Sequence, residues 1–463
     1  MISMIGLLGA LALLIVFTLR GVNIIIAALL SSVLLALTGG LNLNAAMGGY
    51  YMEGFTNYFA SWFLVFLLGA IFGKVIQDTK AAEAIADWIE RKLGAKWALF
   101  AVIAACAIMT YGGVSLFVVG FTVYPIAVSL FKLADYPHRF IPVAIVFGSI
   151  SFTMTSPGSP EIQNIIPTEF FGTQPTAGGW IGVVIAVFIM IAGGLWVRHM
   201  LRAALKKGER FSLPKDSPLY GLEGKALDEL AAAKERLLPK PLFALLPLVI
   251  VLVSLNVLSL YIAAKTAVLV ALLLGIGTTW LFNLKFVTQV GESLAVGAQN
   301  ALVAIANTCA VVGFGSVAAQ VPAFDLFLQA LLNAAGQPFV SLALFVTVIC
   351  GITGSASGGL GIALPLIAPD YMERGVDPGA MHRISALASG GLDSLPHNGF
   401  VVTTIRAICG ETHKRAYGPI FLVCTLLPTV ALAIAVALYT FFLILNCTAI
   451  ERQRRSIAGA VFI

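Results

Sequence analysis

Residues 149–164 read SISFTMTSPGSPEIQN, and they interrupt an apolar run that begins at Phe140. Proline removes a backbone donor and clashes with the preceding turn, so a helix that enters a membrane at Phe140 must break here. The break frees backbone amides, and a new half-helix after Pro160 would point the positive end of its dipole at the gap. We therefore predict a broken helix over residues 140–167 with an anion as its natural occupant, against the alternative of a turn at the membrane surface.

A second break has the same chemical character. Residues 389–399 read SGGLDSLPHNG and are followed by a fresh apolar run, which predicts a broken helix over residues 383–404. This segment adds Asp393 and His397, and ionisable groups inside a membrane bundle are costly and usually functional. Either side chain could exchange a proton with a transported molecule. The structural alternative is that Asp393 caps the following half-helix and never titrates.

A stretch without Asp, Glu, Lys or Arg precedes each break, at residues 97–131 and 326–369. Each stretch has paired glycines beside hydroxylated residues near its middle, TYGGVS from Thr110 and TGSASGG from Thr353. Non-helical backbone at membrane depth persists only where protein or a polar cavity satisfies it. We predict re-entrant helical hairpins over residues 97–131 and 338–369, with close helix packing through small residues as the alternative.

The composition excludes a soluble protein. Of 463 residues, 59% are hydrophobic and 11% are charged, whereas soluble domains carry roughly 25% charged residues. Since about 20 apolar residues span a bilayer, the chain predicts an all-α polytopic membrane protein with about 10–12 transmembrane helices. The candidate spans are residues 3–19, 22–38, 57–77, 140–156, 179–197, 241–260, 264–282, 297–319 and 418–446.

The chain also repeats a spacing. Pro125 and the pair His138-Arg139 recur 244 positions later as Pro369 and His382-Arg383. Two like halves with odd numbers of crossings stand upside down to each other, the usual build of secondary transporters. We therefore predict two inverted repeats, over residues 1–197 and 241–463.

Residues 198–240 form the one long polar segment, with ten Lys and Arg against six acids, so we expect a cytoplasmic linker. It could hold a short surface helix over residues 225–236. An amphipathic helix near residues 80–93 marks another cytoplasmic loop, and the basic tail at 451–455 also favours the cytoplasm.

Other chemistry is excluded by what the sequence lacks. No phosphate loop, nucleotide fingerprint, GxSxG elbow or HExxH occurs, so we expect neither an enzyme nor use of ATP. No continuous basic stripe supports nucleic-acid binding. We expect His138, Arg139, His382 and Arg383 to anchor helix ends beside lipid head groups. No metal-ligand spacing connects the six cysteines, which read as buried hydrophobes: Cys106, Cys309, Cys350, Cys409, Cys424 and Cys447.

The whole chain resembles the gluconate permease (GntP) family of bacterial symporters, within the ion transporter superfamily. The resemblance rests on residues 112–125, 151–167, 354–369 and 387–400. It implies a multi-pass protein of the bacterial inner membrane with a scaffold domain and a mobile transport domain, often in a homodimer. It also implies proton-coupled import of gluconate, related sugar acids or 3-hydroxybutyrate. Sugar-acid members carry an acid where this chain has Gly112 or Gly113, which leaves 3-hydroxybutyrate or a small dicarboxylate as open as gluconate.

These observations define an expected mechanism. We expect a symporter that moves a small carboxylate by alternating access, without a cofactor and with H⁺ or Na⁺ as the coupling ion. Asp393, His397 and Glu161 are the candidates for proton coupling. The alternatives are a sodium-coupled carboxylate transporter, an anion channel, and a membrane-embedded enzyme that uses Asp393 and His397. The expected substrate-binding residues are Gly112, Gly113, Ser115, Thr153, Thr155, Ser159, Gln163, Asn164, Ser355, Ser357, Ser394 and Asn398.

Overall fold

The computed structural model describes residues 2–20, 22–220, 238–287, 289–324, 326, 329 and 337–442. Every regular element within these residues is helical. Seven helices are long and apolar enough to cross a membrane, and six shorter apolar helices of 10–17 residues accompany them among the residues described. The prediction of an all-α polytopic membrane protein is therefore confirmed.

The helices of the first half are α1 (Ile2–Leu19), α2 (Ile24–Gly39), α3 (Met52–Asp78), α4 (Ala81–Leu93), α5 (Ala98–Tyr111), α6 (Leu116–Leu133), α7 (Phe140–Val146), α8 (Ile162–Phe171) and α9 (Gly179–Lys206). Those of the second half are α10 (Pro241–Leu258), α11 (Ala264–Phe282), α12 (Val290–Ala318), α13 (Pro338–Thr353), α14 (Ala356–Glu373), α15 (Pro378–Ser389), α16 (Gly399–Thr403) and α17 (His413–Ile420). Wider π-helical turns precede α3 and extend α7, α16 and α17; they cover Ala45–Tyr51, Phe147–Ser151, Thr404–Ile408 and Phe421–Leu426. Single 3₁₀ turns lie at Ala95–Trp97, Leu284–Phe286 and Leu392–Ser394.

The long helices α3 and α12 pack against each other more extensively than any other pair of described helices. A glycine makes this approach possible, because a Cβ at Gly297 would lie 2.8 Å from the Cα of Ile71. Small residues at such contacts let backbones come close without a hydrophobic driving force from water. The second helix of each hairpin, α6 or α14, packs against this central pair.

The order of elements in the first half recurs in the second. Three helices (α1–α3 and α10–α12) come first, then a helical hairpin (α5–α6 and α13–α14), a broken helix (α7–α8 and α15–α16) and a long helix (α9, and α17 with its extension). The two long helices run in opposite directions. Tyr439, near the end of the second, donates to the carbonyl of Gly178 before α9, and the backbone of Asp216, after α9, lies against Gly410, before α17. These contacts support the inverted repeat, which stays a prediction.

The first part of the first broken helix, which begins at Phe140, ends earlier than the predicted span of residues 140–156. Regular helix stops at Ser151, and α8 begins at Ile162. The hydroxyls of Ser151 and Thr153 each donate to the carbonyl four residues earlier, at 2.5 Å. Side chains that satisfy the backbone in this way compete with the helical ladder and bend it, so the break begins before its prolines.

The linker begins later than predicted. Helix α9 continues to Lys206, because basic side chains favour a helix C-terminus and extend towards the head groups. Helix α4 confirms the predicted helix near residues 80–93. The predicted surface helix at 225–236 and the basic tail at 451–455 lie outside the described residues.

Candidate functional site

A cavity of about 660 Å³ lies where the two hairpins meet the two broken helices. Its wall includes the first residues of four helices, α6, α8, α14 and α16. The N-terminus of a helix has unpaired N–H groups and a partial positive charge, so four such ends create a region suited to an anion. The residues that these helix starts contribute to the wall are Ser115, Leu116, Phe117, Glu161, Ile162, Gln163, Ser355, Ala356, Ser357, Asn398, Gly399 and Phe400.

The four helix starts differ in their caps. Ser355 accepts a hydrogen bond from the backbone N–H of Gly358 at 3.1 Å, and Asn398 accepts one from Val401 at 2.9 Å. The residue before α6 and the residue before α8 make no side-chain cap. The starts of α14 and α16 therefore each use one backbone donor on their own cap, whereas the starts of α6 and α8 use none in this way.

Each hairpin tip packs on the break of its own half. Gly113 has φ +90°, and a Cβ there would lie 3.2 Å from Cγ of Pro160. Gly354 has φ +60°, and a Cβ there would lie 2.5 Å from Cδ2 of His397. The side-chain amide of Asn398 also donates to the carbonyl of Gly354 at 3.1 Å. Only glycine allows both the left-handed backbone and this closeness.

Three ionisable side chains lie in the wall, Glu161, Asp393 and His397, and no Lys or Arg joins them among the described lining residues. Asp393 is 6% exposed and accepts a hydrogen bond from the hydroxyl of Ser394 at 3.0 Å. Because Asn398 caps α16, the alternative that Asp393 serves as this cap is wrong.

Two buried polar atoms at the cavity have no hydrogen-bond partner among the described residues. They are Nε2 of His397 and Oε1 of Gln163, on side chains that are 6% and 8% exposed. Buried polar atoms in folded proteins are nearly always hydrogen-bonded. Unpartnered atoms beside a cavity therefore indicate where a ligand or water binds.

Half of the predicted substrate-binding residues line this cavity, together with the three candidates for proton coupling. The lining residues from that prediction are Gly113, Ser115, Gln163, Ser355, Ser357 and Asn398. The other six, Gly112, Thr153, Thr155, Ser159, Asn164 and Ser394, lie outside its wall.

The residues outside the wall have structural contacts instead. Gly112 packs on Leu248, and Thr153 lies in a second groove of about 310 Å³ beside α9. The amide of Asn164 donates to the carbonyls of Ser159 and Pro175 at 2.8 and 2.9 Å. The hydroxyl of Thr155 is 3.4 Å from the Ser151 carbonyl, and that of Ser159 accepts from the Glu161 amide. A break has two sides, and sequence spacing alone did not reveal which side faces the cavity.

Part of the wall consists of residues that the sequence did not predict. Asn300, Asn307 and Thr308 of α12 contribute to it, as does Thr353 at the second hairpin tip. Asn307 and Thr308 follow Asn300 by seven and eight residues, which places all three on one face of α12. A polar stripe in an otherwise apolar span was the signal that could have identified them.

The predicted head-group anchors are also wrong in three of four cases. His138, His382 and Arg383 are buried, at 1%, 0% and 0% exposure. Their side chains find partners inside the protein, because an ionisable group between helices is stable only with hydrogen bonds. Arg139 alone is partly exposed, and it pairs with Glu209.

Broken helices, hairpin tips and a cavity with ionisable side chains in its wall, within a bundle of apolar helices, define a membrane transporter. Residues 1–221 match the family described as GntP family permease. An uncharacterized transporter of Bacillus subtilis, YxjC, is 36% identical over 95% of this chain and 99% of its own length. The chain belongs to the GntP permease family, which confirms the predicted family, the multi-pass membrane location and a transporter in place of an enzyme.

Two further proteins are similar to this chain. An uncharacterized transporter of Haemophilus influenzae is 26% identical over 75% of this chain and 78% of its own length. The crystal structure of the Alcanivorax borkumensis YdaH transporter covers 85% of this chain and 89% of that chain, with a TM-score of 0.51 and 16% identity. This last likeness shows a common fold.

Proposed function

We propose that this protein is a symporter that imports a short hydroxy acid together with protons by alternating access. The observation that carries the proposal is the composition of the cavity wall. Four helix N-termini favour an anion there, yet the described wall has no Lys or Arg and does have two carboxyl groups, Glu161 and Asp393.

The uncapped starts of α6 and α8 are the proposed binding place for the substrate carboxylate. Removing a carboxylate from water costs several kcal/mol unless donors replace its hydration. Free backbone N–H groups after Ser115 and Glu161 supply donors without a charged side chain. Ser355 and Ser357 also line the cavity, and their hydroxyls are the proposed contacts of a substrate hydroxyl.

The apolar part of the wall favours a less hydroxylated acid. Phe117 and Phe400 meet edge to face with ring centroids 5.6 Å apart, and Phe121 lies in the same wall. Aromatic rings provide apolar area for an alkyl chain and no hydrogen bonds for a row of hydroxyls. We therefore propose 3-hydroxybutyrate or a similar acid ahead of gluconate.

Proton coupling follows from like charges in one cavity. An ionised Asp393 or Glu161 repels a carboxylate in the same cavity, and the repulsion is strong where water is scarce. Protonation removes this repulsion, so proton and substrate bind cooperatively. The inverted arrangement of the two halves supplies the alternating access.

The test is uptake by the purified protein in proteoliposomes, with a panel of labelled acids and imposed H⁺ or Na⁺ gradients. We expect a pH gradient to drive accumulation of a short hydroxy acid. Asp393→Asn should retain counterflow exchange but respond less to the pH gradient, because Glu161 still carries a proton. Asp370→Asn serves as the matched control, since Asp370 is an exposed residue of α14 that pairs with Arg374. A requirement for Na⁺, or flux without saturation or counterflow, would overturn the proposal.

A further inference from the structure

Arg383, in the middle of α15 in the second half, reaches into the first break. Its guanidinium donates to the carbonyl of Thr155 at 2.5 Å, of Ala177 at 2.8 and 3.0 Å, and of Pro175 at 3.1 Å. The side chain is fully buried, and no described carboxylate pairs with it. A rigid fork of donors therefore binds one carbonyl of the first break, that of Thr155, and two carbonyls of the loop between α8 and α9, those of Pro175 and Ala177.

His382 contacts the start of α8, which follows the first break, and the loop after α8. Its Nε2 lies 3.2 Å from Oδ1 of Asn164, and its Nδ1 lies 2.7 Å from the hydroxyl of Thr173. The neutral tautomer with hydrogen on Nε2 satisfies both contacts. Asn164 in turn donates to the carbonyls of Ser159 and Pro175.

The residues between these two sets of contacts form one edge of the candidate site. Glu161 and Gln163, which line the cavity, stand between Thr155, held by Arg383, and Asn164, held by His382. Residues 152–161 have no helical ladder of their own. Their conformation therefore depends on side-chain hydrogen bonds, both from within the segment and from elsewhere in the chain.

We propose that His382 and Arg383 are positioning residues for the substrate site. These two side chains of the second half hold residues 155–164 of the first half in the conformation that lines the cavity. This proposal rests on the proposed function. The earlier pair, 244 positions before, provides a comparison within the chain. His138 likewise contacts the other half, at Glu411 (3.0 Å), but Arg139 forms a partly exposed ion pair with Glu209 and holds no break.

The primary test compares Arg383→Lys with Arg139→Lys in transport kinetics. An ammonium group cannot replace a planar fork that reaches three carbonyls, so we expect KM for the acid to rise at least tenfold in Arg383→Lys with a smaller change in maximal rate. Arg139→Lys should stay within about twofold of the wild type, since exposed ion pairs contribute little. Equal KM values in both variants and the wild type would overturn the proposal.

A second pair covers the case in which Arg383 variants fail to fold. His382→Leu removes both hydrogen bonds, whereas His382→Gln keeps a donor for Asn164 and an acceptor for Thr173. We expect His382→Leu to raise KM and His382→Gln to restore most of the wild-type value. Equal kinetics in these two variants would overturn the proposal.

A readout without transport separates this inference from the proposed function. Gln163→Cys should react with a small thiol reagent at a rate that changes severalfold when Arg383→Lys is added, because the edge moves. If no acid in the panel is transported by the wild type, the proposed function fails, and this rate still decides the role of Arg383. An unchanged rate refutes it.

Discussion

At the scale of single residues, the two hairpin tips and the two carboxyl groups govern the site. Gly113 and Gly354 have left-handed backbones and touch Pro160 and His397 of the adjacent breaks. A tip that cannot close on its break cannot bring the N-termini of two helices to one cavity. In the proposed mechanism, the carboxyl groups decide how many protons accompany the substrate.

Gly354→Ala should abolish transport. The new Cβ would lie 2.5 Å from the His397 ring, and the backbone at φ +60° adds strain. Gly40→Ala is the matched control, since Gly40 has φ +74° with no atom within 4 Å of the added Cβ. Left-handed strain alone costs about 1–2 kcal/mol, so the control should lower the thermal midpoint but keep uptake. Normal uptake by a correctly inserted Gly354→Ala protein would contradict the tip geometry.

Glu161→Gln should make transport electrically silent. If both Glu161 and Asp393 carry protons, one monovalent acid enters with a net positive charge. Each 100 mV then contributes about 2.3 kcal/mol, which is roughly 50-fold accumulation. Transport currents in a reconstituted membrane measure this directly. Wild-type uptake without a current would show that only one proton is carried.

At the scale of elements, the segment after α9 joins both halves on one face. The Arg139 guanidinium donates to both oxygens of Glu209 at 2.7 and 2.9 Å. Ser217 lies 2.7 Å from the hydroxyl of Tyr124, and the adjacent Asp216 backbone packs on Gly410. Residues 207–220 therefore dock on α6 and on the segments that precede α7 and α17.

Glu209→Gln should speed hydrogen exchange in residues 207–220 by a few fold at neutral pH. The Arg139 guanidinium lowers the pKa of Glu209 below its usual value. A lowered pKa stabilises docking above the usual glutamate pKa, and this contribution disappears as the pH falls through the lowered value. The pair is partly exposed, so the effect is limited to about 0.2–1 kcal/mol. Wild type and variant should converge at acidic pH after correction for intrinsic exchange, and divergence there would refute the assignment.

At the scale of the whole molecule, the contacts between halves define two faces. One face has residues 207–220 beside Arg415, whose carbonyl accepts from Arg139. The other has Gly178 beside Gly379 and Tyr439. An excess of Lys and Arg on the first face predicts that it is cytoplasmic.

Single cysteines should report these faces in intact cells. Gln174→Cys and Glu373→Cys should react with an impermeant maleimide from outside, whereas Lys207→Cys and Lys414→Cys should react only after permeabilisation. All four positions are exposed, and the five described native cysteines are buried. Cys447→Ala removes the remaining thiol. Labelling of Lys414→Cys from outside would exclude the inverted arrangement.

Local physics determined much of this protein from its sequence alone. Hydropathy identified the membrane bundle, and paired glycines and prolines identified the hairpin tips and the two breaks, because each acts on the backbone within a few residues. The polar content of the breaks likewise indicated an anion site and the ionisable groups Asp393, His397 and Glu161.

The tertiary structure alone decided which of these groups meet. Thr155 and Asn164 belong to the same broken helix as Gln163. Thr155 nevertheless contacts Arg383, and Asn164 contacts His382, each more than 200 positions away in the sequence. Sequence spacing cannot reveal the orientation of an irregular segment, because contacts with distant segments set it. The same reason hid the polar face of α12 and the burial of Arg383.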